Sequence, residues 1–165
     1  MKNVMFSKLL LALGLFLFLG NSAVAQNKYV GATKCKMCHN KPSAGAQYSK
    51  WLAGPHANAM KSLKGDDATN PKCLKCHSTA ASVDQSLVLT IKKAEGVSCE
   101  GCHGPGSAYK SMSVMKNLEL AKTKGLTIPN EAVCKRCHNE ESPNYKEFNF
   151  KEYYAKIAHE NPLKK

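Results

Sequence analysis

The sequence lacks an apolar run long enough to cross a bilayer. Its longest apolar run, residues 9–19 (LLLALGLFLFL), has eleven residues, whereas a membrane-spanning helix needs about 20. Lysines at positions 2 and 8 precede this run, and the small residues AVA, ending at Ala25, follow it. This order is typical of a secretory signal peptide. We therefore expect residues 1–25 to be removed after Ala25 and the protein to be periplasmic; an uncleaved anchor helix is the alternative.

The chain also has no cysteine outside one short motif, and that motif occurs four times. All eight cysteines and four of the six histidines belong to copies of Cys-x-x-Cys-His. This spacing is the attachment signature of a c-type haem. The two thiols bond to the porphyrin, and the adjacent imidazole binds the iron as its proximal ligand. We therefore predict four covalently bound haem c groups. The anchoring residues are Cys35, Cys38 and His39; Cys73, Cys76 and His77; Cys99, Cys102 and His103; and Cys134, Cys137 and His138.

Three other interpretations explain less of this pattern. Structural zinc takes four ligands per metal and does not need a histidine directly after each second cysteine. A redox dithiol occurs singly beside a βαβ pattern, which the sequence lacks. A disulfide framework would use eight cysteines but leave the four adjoining histidines unexplained.

The length of the chain limits the possible folds. Residues 26–165 would hold four haems with about 35 residues for each, too few for four separate cores. We therefore predict one domain over 26–165, mainly α-helical with irregular loops, as a compact multihaem c-type cytochrome in which the haems form the core. Helices are predicted over 33–40, 43–52, 107–124 and 150–159, with another helical stretch from His56 and one β run over 87–91.

Histidines are too few to give every iron two. Four bis-histidine haems need eight, and the chain has six. Only His56 and His159 remain after the proximal ligands, and both lie in predicted helical stretches, which would hold a ligand rigidly. The other two irons take a methionine, take another donor or stay five-coordinate. Met60, Met112 and Met115 lie outside the motifs, although methionine is more often a packing residue.

Acidic residues are scarce as well. The chain has 12 Asp and Glu residues and 24 Lys and Arg residues, which gives a formal net charge of +12. Without the signal peptide and with haem propionates included, the oxidised protein should carry about +6. We therefore expect periplasmic or membrane-bound redox partners with an acidic docking surface, and no nucleic acid; a solvated lysine-rich surface is the alternative. Basic residues flank the motifs at Lys34, Lys36, Lys72, Lys75, Lys135 and Arg136.

Four segments of the chain carry a resemblance to a known family. They are residues 31–39 (GATKCKMCH), 51–63 (WLAGPHANAMKSL), 96–106 (GVSCEGCHGPG) and 148–159 (FNFKEYYAKIAH). In these segments the chain resembles the cytochrome c-554 family, tetrahaem periplasmic electron carriers best known from ammonia-oxidising bacteria. The third segment is the most specific match.

The resemblance implies which histidine binds which iron. His56 would be the distal ligand of the haem held by the motif of His103. His159 would be the distal ligand of the haem held by the motif of His138. The haem of His77 would be five-coordinate and high-spin.

At the first haem the chain departs from the family pattern. The resemblance implies that the haem of His39 takes a distal histidine from the segment after GCHGPG. Residues 107–116 (SAYKSMSVMK) contain no histidine. We therefore expect Met112 or Met115 to bind this iron, with an open iron as the alternative.

The expected function is electron transfer between redox partners, with no catalytic residue assigned. The sequence shows no nucleophile constellation, and iron binding accounts for the histidines. Two alternatives remain: reduction of a small ligand such as nitric oxide at the open iron of the second haem, and a role as subunit of a larger redox complex.

Overall fold

The computed structural model describes residues 26–159 and 161–162, and this part of the chain folds into short helices joined by turns and irregular loops. It contains no β-strand, only an isolated bridge, so the predicted mainly α-helical class is confirmed. The predicted signal peptide lies outside the described residues. The helices are α1 (Ala32–His39), α2 (Gln47–Ala53), α3 (Pro71–His77), α4 (Thr79–Ser82), α5 (Cys99–His103), α6 (Met112–Met115), α7 (Leu118–Thr123), α8 (Glu131–Lys135) and α9 (Phe150–Ile157).

Each Cys-x-x-Cys-His motif lies on a helical turn. Helices α1, α3 and α5 carry the first three motifs. The fourth begins at the end of α8 and continues as a turn, in which the His138 N–H donates to the Cys134 carbonyl at 3.0 Å. Residues three and four apart share one helix face, so both cysteines and the histidine of a motif point the same way. Asparagine caps begin two of these helices: the side chains of Asn70 and Asn130 accept backbone N–H groups of α3 and α8.

Helix α1 is capped by a distant part of the chain. Gly31 precedes it with a φ of 85°, a conformation that glycine adopts readily. The Ala32 N–H donates to the Glu95 carboxylate at 2.8 Å, and the Gly31 N–H donates to the Glu100 carboxylate at 2.7 Å. A Cβ at Gly31 would lie 2.8 Å from Glu95 Oε1. The start of the first motif is therefore fastened to the segment that carries the third.

The β run predicted over 87–91 is wrong. The Asp84 side chain accepts the Ser86 N–H at 2.8 Å and starts a 3₁₀ turn over Gln85–Leu87. Only Val88 pairs, in an isolated parallel bridge with Tyr29. The apolar side chains of 87–91 favour an extended backbone, but the Asp84 cap favours a turn at the start of this segment.

Two predicted helices are divided. The helix expected over 107–124 forms α6 and α7, because the Asn117 side chain accepts the Leu120 N–H at 3.0 Å and starts a new helix. The helix expected over 43–52 is a 3₁₀ turn followed by α2, since Gly45 and Ala46 both adopt left-handed backbone conformations between them.

The apolar side chains that this part of the chain buries are few. They are Val30, Ala32, Leu74, Ala80, Ile91, Tyr109, Ala121 and Phe148. Larger apolar side chains remain exposed to solvent, including Met37, Leu52, Leu89 and Ile128. Among the residues described, no helix has both the length and the apolar character needed to cross a membrane.

Candidate haem-binding site

Cysteines of different motifs lie close together. Cys35 of the first motif lies near Cys99 of the third, and hydrogen bonding by Cys99 lowers the pKa of Cys35. Burial, followed by the nearby Cys76 of the second motif, raises the pKa of Cys137 of the fourth to about 12. The cysteines of the first and third motifs therefore lie close together, as do those of the second and fourth, and Cys102 of the third motif also lies near Cys134 of the fourth.

Two pairs of histidine rings lie opposite each other. The ring centres of His103 and His159 are 6.0 Å apart, with planes inclined at 67°. Those of His56 and His138 are 6.2 Å apart, inclined at 69°. An imidazole nitrogen binds a metal at about 2.0 Å with the ring centre about 1.1 Å behind it, so two imidazoles on opposite sides of one metal have centres about 6.2 Å apart. Both spacings match, and each pair joins one motif histidine to one spare histidine. These residues fit haem with two axial imidazoles.

These ring contacts differ from the ligand pairs that the family resemblance implied, and the ligand pairs stay a prediction. His56 was expected opposite His103, but its ring lies opposite His138; His159 was expected opposite His138, but lies opposite His103. The His56 carbonyl accepts the Val97 N–H at 2.9 Å. The backbone of His56 thus contacts the segment before the third motif.

The sequence predicted that both spare histidines lie in helical stretches. This prediction is wrong. His56 lies in a turn, and His159 follows α9, which ends at Ile157. Contacts outside any helix fix both positions. A Cβ at Gly96 would lie 2.5 Å from the His56 carbonyl oxygen, so this turn packs directly on a glycine. His159 is held through Nδ1, which is 3.0 Å from the Ile157 carbonyl.

Backbone carbonyls hold two motif histidines in the same way. Nδ1 of His77 is 2.9 Å from the Ala59 carbonyl, and Nδ1 of His103 is 3.1 Å from the Thr127 carbonyl. A ring that donates its Nδ1–H to a carbonyl presents Nε2 as the free nitrogen. This outer hydrogen bond is the usual way in which proteins orient a metal-binding imidazole.

Burial favours the neutral, metal-binding form of three rings. It lowers the pKa of His138. It also lowers the pKa of His56, with a further contribution from neighbouring His138. For His103 burial again lowers the pKa, against the raising effect of its hydrogen bond to Thr127. A neutral imidazole has the lone pair that binds a metal.

Aromatic rings surround the fourth motif. The Phe148 ring stacks on His138 with centres 4.9 Å apart and planes inclined at 28°. Tyr153 of α9 packs against both, with ring centres 5.0 Å from Phe148 and 6.0 Å from His138. The C-terminal helix thus restricts the orientation of the His138 ring and brings the chain back to His103 through His159.

His39 and His77 have no spare histidine left for them, because His56 and His159 lie opposite other motifs. The two candidate methionine ligands are on α6, which packs against α7. Met112 is 63% exposed, whereas Met115 is half-buried. Of the two, Met115 is the better shielded from water.

One residue with a central position was missed in the sequence analysis. Glu100, between Cys99 and Cys102, is only 2% exposed, and its carboxylate accepts backbone N–H groups of Val30, Gly31 and Gly106. A signal was present: among the eight positions between paired cysteines, Glu100 is the single acidic residue.

Several of the basic residues beside the motifs are engaged within the protein. Lys75 forms an ion pair with Glu141, and Lys135 pairs with Glu131 at 2.7 Å. Arg136 donates to the Gly101 carbonyl at 2.7 Å and so links the third and fourth motifs. Lys34 and Lys72 are exposed.

Comparison with known proteins gives two matches. The family model described as cytochrome c554 and c-prime matches residues 34–104, which contain the first three motifs. The chain is similar to cytochrome c-554 of Nitrosomonas europaea, with 31% identity over 149 aligned residues that cover 72% of this chain and 61% of that protein. The chain therefore spans about three fifths of that relative. No solved structure matches the chain.

Proposed function

The chain belongs to the cytochrome c-554 family, and from that premise we propose that it is a periplasmic cytochrome with four covalently bound haems that carries electrons between redox partners. Residues 26–165 would form its single domain. The observation that carries the proposal is the pair of opposed imidazole couples, with ring centres 6.0 and 6.2 Å apart. That arrangement serves a metal held on two sides, which favours electron transfer over substrate binding.

The residues of the chain have three tasks in this proposal. Cysteines 35, 38, 73, 76, 99, 102, 134 and 137 attach the haems. The imidazoles of the four motifs, with His56 and His159, bind the irons. Haem iron, when bound, supplies one-electron exchange. The carbonyls of Ala59, Thr127 and Ile157 hold three of the imidazoles through Nδ1. These contacts limit the movement of the rings when the charge of a bound iron changes.

The short distances between attachment sites of different motifs support electron transfer within the molecule. The contact of Cys35 with Cys99 and the proximity of Cys76 to Cys137 bring pairs of motifs together. Since so few apolar side chains are buried among themselves, the haems would also supply much of the apolar core.

The positive charge of the chain favours partners with an acidic docking surface. Lys34 and Lys72, beside the first and second motifs, are exposed and suited to such contacts. Attraction between opposite charges accelerates encounter and weakens as salt screens it. Periplasmic location follows from the signal peptide expected over residues 1–25.

Coulometric titration of the purified protein tests the carrier proposal. We expect four electrons per chain, reversibly taken up and released, and a rate of electron exchange with an acidic redox protein that falls as ionic strength rises. Lys34→Glu and Lys72→Glu should slow this exchange, whereas Lys122→Glu, on the exposed face of α7, should change it less. Uptake of fewer electrons, or rates indifferent to salt, would contradict the proposal.

A second function is favoured by the histidine pairing. Because His56 and His159 lie opposite His138 and His103, the iron held by His77 has no histidine partner within the chain. It could bind a small ligand such as nitric oxide and reduce it. Anaerobic mixing of the protein with nitric oxide, in the presence of excess ascorbate and a redox mediator as the electron donor, distinguishes the two functions: continuous consumption of the gas above the rate without protein supports reduction, and one-time binding without consumption supports electron transfer alone.

A further inference from the structure

Glu100 is the one buried carboxylate in the described part of the chain. Four short contacts reach its two oxygens. The Val30 N–H lies 2.9 and 3.0 Å from the two oxygens, the Gly31 N–H lies 2.7 Å from Oε2 and the Gly106 N–H 2.6 Å from Oε1. All these partners are donors, and an ionised carboxylate is purely an acceptor. The surroundings of Glu100 are therefore built for a negative charge.

Two glycines allow the backbone to approach this carboxylate. A Cβ at Gly106 would lie 3.0 Å from Glu100 Oε1. Gly31 has a φ of 85°, which directs its N–H toward the same carboxylate. We call the three backbone donors around this carboxylate, the N–H groups of Val30, Gly31 and Gly106, the cradle. The position of the charge is thus fixed by backbone on both sides and not by a flexible side chain.

The cradle adjoins two haem attachment sites. Glu100 follows Cys99 directly on α5. Across the cradle, Cys35 Sγ is 4.0 Å from the Gly31 carbonyl, and the Gly31 N–H binds Glu100. The Cys35 and Cys99 thiols also contact each other. The carboxylate therefore lies at the point where the first and third attachment sites meet, and on neither of the other two motifs.

We propose that Glu100 is a positioning residue whose buried negative charge lowers the reduction potentials of the haems attached at the first and third motifs. This inference rests on the proposed function, because it requires the haems. Ferric iron carries one more positive charge than ferrous iron, so a nearby carboxylate stabilises the oxidised state. The interaction is stronger in a protein interior than in water because the effective dielectric constant is lower. The haems at the first and third sites would each have a lower potential than they would have without this charge.

The third and fourth sites offer an internal comparison that needs no substitution at Glu100. Each pairs a motif histidine with a spare histidine at nearly the same spacing, so the type of axial ligand is the same. A redox titration followed by EPR should show the third site at a lower midpoint potential than the fourth. The signal of the third site is the one lost in His159→Ala. A fourth site at equal or lower potential would overturn the proposal.

Substitution separates charge from packing. Glu100→Gln removes the charge, and we expect the midpoint potentials of two of the four haems to rise. Glu100→Asp keeps the charge with a shorter side chain, so the potentials should stay near those of the wild type while the urea midpoint of unfolding falls. Glu119→Gln removes the same charge from an exposed position on α7. It should change neither the midpoint potentials nor the urea midpoint of unfolding. Loosening of the fold alone would admit water and lower the potentials, the sign opposite to the one expected for loss of charge.

Intact mass measured on each variant separates failure of this inference from failure of the proposed function. Four haems per chain with unmoved or lowered potentials in Glu100→Gln would overturn the role of Glu100 only. Fewer than four haems on the wild type would overturn the proposed function itself.

Discussion

Replacement of His159 by alanine tests the ligand pairing at one defined site. The substitution removes the ring that lies 6.0 Å from that of His103 and leaves the His56–His138 pair unchanged. The structure contains two such pairs, so one of two bis-histidine centres should be lost. The integrated low-spin bis-histidine EPR signal of the ferric protein should therefore fall by half, with one additional high-spin centre and unchanged covalent haem content.

The fold should survive this substitution. Helix α9 keeps the contact of Phe148 with Tyr153 and that of Phe150 with Tyr154, whose ring centres are 5.4 Å apart. It also keeps the exposed Lys156–Glu152 ion pair. Far-UV circular dichroism should thus change little, while residues after Ile157 become more accessible to protease because the end of the chain is no longer held.

A reporter substitution identifies which haem has changed. Phe148 stacks on His138, so Phe148→Leu should alter the EPR signal of the fourth site by releasing that ring. In the His159→Ala background, the surviving bis-histidine signal should still respond to Phe148→Leu. If the surviving signal does not respond, His159 serves the fourth site and the pairing described above is incorrect.

Two further substitutions test the positions of other ligands. Gly96→Ala should destabilise the protein by about 3 kcal/mol through a clash with the His56 carbonyl, and should weaken the low-spin signal of the fourth site; urea unfolding and EPR measure both effects. The matched control Gly65→Ala, also at positive φ but with nothing within 4 Å of its Cβ, should cost about 1 kcal/mol and leave the spectrum intact; equal losses would refute the clash. Replacing Met112 and Met115 together by alanine should abolish the weak near-infrared absorbance of a methionine–iron bond and add one high-spin centre. A wild type without this absorbance would show that the first iron has no methionine ligand.

The helical turns that carry the four motifs could be predicted from sequence because the motif spacing is local. Two cysteines and a histidine within five residues specify a covalent haem site, and the same spacing favours a helical turn with all three side chains on one face. The structure places every motif on such a turn. The effect of local caps could not be predicted from the apolar pattern. Asp84 and Asn117 each start a new turn or helix where that pattern predicted one regular element.

The partners of the spare histidines depend on contacts distant in sequence. His56 is separated from both His103 and His138 by many residues, and composition does not distinguish the two. The Val97 N–H binds the His56 backbone, while the His56 ring lies beside that of His138. The role of Glu100 was hidden for a similar reason, because a charged residue beside a motif is usually solvent-exposed, and only the approach of Val30, Gly31 and Gly106 buries it.

Intact mass spectrometry of the natively produced, denatured protein measures the covalent attachment of haem. We expect a single species whose mass equals the polypeptide from Gln26 onward plus four haems, all retained after denaturation because each is held by two thioether bonds. A mass with fewer than four haems, or haem that separates from the chain on denaturation, would contradict this expectation.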